Sequence, residues 1–343
     1  MGEPSFLNSS DNSLILRSSI AEVSTKRIAL TPLPELSDSW RMTSEPNPSR
    51  RHFFKLAGTC ALACTATSRS TSRAVEPTVR TGKPSLKLSL AAYSFREEFK
   101  AGKMDMPKFI DYCVAHGLAG TELTSYYFPP DADDAYYIGL KRHAFLKGIA
   151  VSGTAVGNNF AFLEGPELDR QIRDVKAWID RAAVLGAPHI RVFAGASKGI
   201  DPAEAVKSCI AGLEECCDYA GKKGIFLGLE NHGGLVAEAD NMLSILKAVK
   251  SPWLGVNLDT GNFHTDDPYG DLGKIAPWAV NVQVKVEMRP RGASENSPAD
   301  LNRLVKILRD VNYQGFVVLE YEAREDPMAA IPRHLESLRA AIK

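Results

Sequence analysis

No cysteine of this chain stands in a Cys-x-x-Cys pair, which removes the spacing that structural zinc sites and dithiol redox centres need. There is no net charge either: 41 Lys and Arg balance 41 Asp and Glu. Such a balance gives no polyanion-binding field, so no nucleic-acid partner is expected and the substrate should be small and mostly neutral. No glycine-rich GxGxxG or GxxxxGK loop follows the first strand-like segment, which argues against a dinucleotide or P-loop fold. Long apolar runs are missing as well. The longest in the N-terminal part, Leu56 to Ala66, is too short for a permanent membrane span.

What remains falls into two parts. Residues 1–84 are rich in Ser, Thr, Pro and Arg, show no sustained apolar periodicity, and read as an unfolded or processed leader. Within it, Ser49-Arg50-Arg51-His52-Phe53-Phe54-Lys55 followed by the weakly apolar stretch resembles a twin-arginine export signal spanning about residues 49–66. That resemblance implies the twin-arginine translocation machinery as a partner and a periplasmic or otherwise exported product. Ala61-Leu62-Ala63 suits cleavage, and Cys64 directly after it leaves a lipid anchor open as an alternative.

From residue 85 to 343, strand-like and helix-like patterns alternate with short connections. The strands are expected at 86–95, 120–124, 150–156, 188–193, 225–230, 254–259, 280–286 and 316–321. The helices between and after them include 105–116, 134–147, 167–185, 202–222, 239–250, 272–278, 300–311 and 327–342. Eight strand–helix units with right-handed crossovers imply a single α/β domain, a (β/α)8 TIM barrel, better than an open doubly wound sheet. Cys209, Cys216 and Cys217 recur at helical spacing with Ile210 and Leu213, so they read as helix core.

Four consecutive strands end in metal-capable polar residues: Glu230, Asp259, Gln283 and Glu320. An unpaired carboxylate at the end of a buried apolar run costs several kcal/mol. A shared compensating cation explains the set, because in a barrel those strand ends are neighbours around one rim. The alternative is that each carboxylate meets its own Arg or Lys.

The segments Glu230-Asn-His-Gly-Gly234, Leu258-Asp-Thr-Gly-Asn-Phe-His264, Val282-Gln-Val-Lys285 and Leu319-Glu-Tyr-Glu322 resemble the sugar phosphate isomerase/epimerase family of xylose isomerase-like barrels. The resemblance implies one divalent metal held by Glu230, Asp259, Gln283 and Glu320, with Glu230 and Glu320 as the catalytic acid and base. Many members carry histidine where this chain has Gln283. An all-oxygen site would favour Mn2+ or Mg2+ over Zn2+ or Co2+. Glu122, His232, His264, Lys285 and Arg191 are candidate substrate contacts, although Glu122 and Arg191 could equally neutralise each other. Tyr126, Tyr127 and Phe128 are candidates for an aromatic wall. The implied activity is isomerisation or epimerisation of a sugar or polyol through an enediolate. The alternative is a lyase or hydrolase acting on a 3-keto-glycoside with the same base, and a non-catalytic sugar-binding barrel is more remote. A homo-oligomer is left open.

Overall fold

The computed structural model describes residues 74–343. The twin-arginine segment and Cys64 lie outside the described residues. Eight parallel strands close on themselves: β1 Ser85–Ala91, β2 Gly120–Thr124, β3 Ala150–Ala155, β4 His189–Val192, β5 Phe226–Glu230, β6 Leu254–Asp259, β7 Ala279–Val284 and β8 Gln314–Leu319. Each pairs with its neighbours in chain order, and β8 closes the ring by pairing with β1 from Ser85↔Gln314 to Leu90↔Leu319. Eight main helices lie between and after the strands: α1 Met106–Ala115, α2 Asp134–Leu146, α3 Pro166–Leu185, α4 Pro202–Lys222, α5 Ala239–Ala248, α6 Pro268–Ile275, α7 Leu301–Asp310 and α8 Pro327–Ile342. This is the (β/α)8 barrel expected from the alternation.

Local chemistry explains where the helices start. In α1, α2, α4, α6, α7 and α8 an aspartate N-cap accepts from a backbone N–H of the first turn, as Asp105 does from Lys108 at 2.9 Å and Asp300 from Arg303 at 3.0 Å. α3 stops at Gly186, whose φ of 82° suits a residue without a Cβ. The four described cysteines are free and buried, in keeping with helix-core positions.

Three boundaries differ from expectation. β1 stops at Ala91, and Ala92–Phe95 turns into a 3-10 helix that buries Phe95 against Phe109 and Tyr112. The apolar run continued past the strand because it feeds that packing. α6 begins at Pro268 under the Asp267 cap, and the stretch expected at its end, Ala276–Trp278, is 3-10. The packed chain also begins before residue 85. The Trp278 indole N–H donates to the Val75 carbonyl at 3.1 Å, Thr78 N–H to Pro277 at 2.9 Å, and the Asn312 amide to Gly82 at 2.9 Å. Residues 75–82 therefore strap the N-terminal ends of β7 and β8.

One glycine is dictated by the barrel interior. A Cβ on Gly153 of β3 would lie 2.1 Å from the His189 ring on β4, so the imidazole fills space that a side chain would need. His189 is buried, and burial lowers its pKa to about 4, keeping it neutral.

Candidate active site

The carboxyl ends of β4 to β8 carry the polar groups, because each strand's inward parity ends there. Glu230 and Asp259 are the last residues of β5 and β6, Gln283 is the penultimate residue of β7, and Glu320 follows β8. Asp259 stands beside Gln283 in the ladder, and Gln283 beside Val318. Asn231 ties the first two strand ends together: its amide donates to the Asp259 carbonyl and its oxygen accepts from the Asp259 N–H, both at 2.9 Å.

Each carboxylate has an organic cation next to it. Arg191 Nε lies 2.9 Å from Glu230 Oε2, with both side chains about 5% exposed. The same guanidinium donates to the Val156 carbonyl at 3.0 Å and covers the Phe193 ring at 3.9 Å from its centroid. Arg191 thus pairs with Glu230 and not with Glu122, because β4 and β5 are adjacent while Glu122 enters from β2. Asn262 completes the Glu230 shell, donating to Oε1 at 2.9 Å. Lys285 Nζ lies 2.5 Å from Glu320 Oε2 and 3.3 Å from Asp259 Oδ2, and it also contacts Glu322 Oε2.

Negative charge exceeds positive in this pocket, and the acidities reflect it. Burial pushes the Glu230 carboxyl up to about 7; Arg191 opposes the shift and the Glu320 charge adds to it. Burial likewise pushes Asp259 up to about 8, against Lys285 and with the Glu230 and Glu320 charges. Burial disfavours charge on Lys285 too, but Asp259, Glu320 and Glu322 outweigh it and hold the amine well above the usual lysine range.

Beneath these groups, four side chains close a ring across the barrel. Asn281 Nδ2 donates to Glu122 Oε2 and to Asn257 Oδ1, each at 2.8 Å. Asn257 Nδ2 donates to Gln283 Oε1 at 2.5 Å, and Gln283 Nε2 donates to Glu122 Oε1 at 2.6 Å. Glu122 is fully buried, and burial, with the Glu320 charge, raises it to about 8. It therefore supports the floor of the site and does not line the cavity expected to receive substrate. The ring was missed in the sequence, although Asn281 and Gln283 alternate with apolar residues along β7 and Asn257 precedes Asp259 by two, the inward parity of a barrel strand.

Above the ring lies a cavity of about 240 Å³ lined by Tyr93, Tyr126, Arg191, Phe193, Glu230, His232, Lys285, Glu320 and Glu322. Of the expected aromatic wall only Tyr126 reaches it; Tyr127 stacks on Phe99 at 4.6 Å, and Phe128 packs against Tyr137 and Trp178. Tyr93 and Phe193 supply the rest. His232 lines the cavity against Phe193, and burial lowers its pKa. His264 does not line it: its Nδ1 sits 2.9 Å from the Arg289 carbonyl, beside a second cavity of about 320 Å³ that also touches Lys285 and Glu322.

A divalent ion was expected on Glu230, Asp259, Gln283 and Glu320. Among the described residues, no group of three or more His, Cys, Asp or Glu is placed to hold a metal ion. The Gln283 oxygen is taken by Asn257, and the space between Asp259 and Glu320 is taken by the Lys285 ammonium. The side chains as arranged do not fit a metal.

Known proteins place this architecture. The xylose isomerase-like TIM barrel family matches residues 110–341. A Homo sapiens protein named "Putative hydroxypyruvate isomerase" is 28% identical over 201 residues, 54% of this chain and 69% of that one. The solved D-psicose 3-epimerase of Clostridium cellulolyticum H10 superposes with a TM-score of 0.63 at 18% identity, over 75% of this chain and 99% of that one. The 3-keto-D-glucoside 4-epimerase of E. coli gives 0.58 at 17% identity, over 75% and 100%. With its closed barrel and its carboxylates gathered at the ends of β5, β6 and β8, the chain belongs to the xylose isomerase-like TIM barrel family.

Proposed function

We propose that the protein is an isomerase or epimerase of a small polyhydroxylated carbonyl compound, moving a proton next to the carbonyl through an enediolate. The observation that carries this reading is that Glu230 and Glu320 face one small cavity, each beside its own buried cation. One carboxylate takes the proton from the carbon beside the carbonyl and the other delivers it, their roles exchanging with the direction of reaction. A Glu230 proton affinity near neutrality suits both halves of that exchange. The Lys285 ammonium and the Arg191 guanidinium offer positive charge to the developing oxyanion in a buried site, where it counts for more than in water. Tyr93, Tyr126 and Phe193 give the apolar faces of a sugar a surface to lie against.

Screening ketoses and 3-keto-glycosides in D2O, with deuterium incorporation read by mass spectrometry, tests this. Solvent deuterium should enter the carbon beside the carbonyl, and Glu230→Gln and Glu320→Gln should each slow that entry by at least about 10²-fold. If either variant exchanged at the wild-type rate, its role in proton transfer would be wrong. Elimination from a 3-keto-glycoside is a second reading. The 320 Å³ cavity shares Lys285 and Glu322 with the smaller one and would give a leaving group room beside the site. Export through the twin-arginine machinery is also proposed, on the Arg50-Arg51 motif alone.

A further inference from the structure

We infer that the Lys285 ammonium is the resident cation of this barrel, so that the carboxylate cluster is complete without a divalent ion. Three carboxylates surround the ammonium: it donates to Glu320 and Glu322, and Asp259 Oδ2 lies within ion-pair distance at 3.3 Å. Metal–oxygen bonds to carboxylates run about 2.0–2.6 Å. An ion bonded to Asp259 Oδ2 and Glu320 Oε2 would therefore fall on or against Nζ, which lies 3.3 Å and 2.5 Å from those atoms. The two positive charges could not share the site.

The lysine is built in and not merely folded over an open site. A Cβ on Gly261 would come within 2.6 Å of Lys285 Cγ, so the loop after β6 keeps a glycine where the lysine stem passes. The Lys285 backbone N–H donates to Thr260 Oγ1 at 2.9 Å, fixing the start of the side chain, which is only 10% exposed. The remaining expected ligands are engaged elsewhere, Glu230 by Arg191 and Asn262, and Gln283 by the floor ring. Every carboxylate in the set thus has an organic cation beside it.

The inference rests on the same carboxylates as the proposed reaction but not on that reaction, and it is tested without substrate. The full chain, purified without chelator, is assayed for metal by mass spectrometry and for Mn2+ binding by thermal unfolding and the Mn2+ paramagnetic resonance signal. Wild type should carry well under one ion per chain, and neither Mn2+ nor EDTA should move its unfolding midpoint. Lys285→Ala uncovers the carboxylates and should bind one Mn2+ per chain, with a midpoint that rises with Mn2+ concentration. Wild type holding one ion per chain would overturn the inference, even if the variant does not fold. So would a folded variant that binds no Mn2+, because the lysine would then not stand in a cation's place. Either failure leaves the proton-transfer assignment to be judged by deuterium exchange.

Discussion

Replacing Arg191 with methionine removes the cation beside Glu230 while keeping much of the side-chain volume, and the consequence depends on pH in a calculable way. With the guanidinium present, Glu230 titrates near 7 in the folded protein, against 4.5 for an unperturbed glutamate. The wild-type contribution to stability therefore falls as pH rises from about 4.5 to about 7, where the folded state holds a proton the unfolded state has released, and then levels off. Without Arg191, burial and the Glu320 charge are opposed mainly by Lys285, so the folded pKa moves above 7. Between 7 and that new value the folded variant binds one more proton than folded wild type. Its deficit then grows by about 1.4 kcal/mol per pH unit. Each pH unit of that window corresponds to about 3–6 °C in unfolding midpoint for a domain of this size. Below pH 7 the deficit should flatten at about 1–3 kcal/mol, the cost of the lost hydrogen bond to Val156 and the contact with Phe193. Thermal unfolding of both proteins across this range gives the comparison. Parallel curves would show that Glu230 does not depend on Arg191 for its charge.

Other outcomes follow from the same contacts. Gln283→Leu should leave Asn257 Nδ2 without its acceptor and Glu122 Oε1 without its amide donor, at about 1–3 kcal/mol for each group, read as a lowered denaturant midpoint. An unchanged midpoint would mean the floor ring does not form. Gly153→Ala should drive a methyl into the His189 ring and cost about 1–3 kcal/mol or more, whereas an exposed site such as Gly139, with nothing near its added Cβ, should tolerate the same change. Replacing Arg50 and Arg51 with lysine should hold the precursor in the cytoplasm, as judged by cell fractionation; unaltered export would remove the twin-arginine assignment.

Much of the architecture was legible from local pattern. Aspartates before helical runs, alternation along the strands and carboxylates at strand ends all act within a few residues, so the chain states them directly. These were enough for eight units, for the closed barrel and for the rim on which Glu230, Asp259, Gln283 and Glu320 gather. How the charges are balanced was not legible. Gln283 looked like a ligand because its position matches a family pattern, yet its amide is bound to Asn257 on the next strand and to Glu122, 161 residues away. Lys285 reads in the sequence as a candidate substrate contact, and it does line the cavity, yet its ammonium is held by Asp259, Glu320 and Glu322. Sequence determined which residues reach the barrel's mouth, since strand parity and strand length set that locally. Only the tertiary structure decided which cation answers each carboxylate, because closure of the barrel brings side chains from distant strands to hydrogen-bond range, and in a buried site it is distances of a few ångströms that choose the partner.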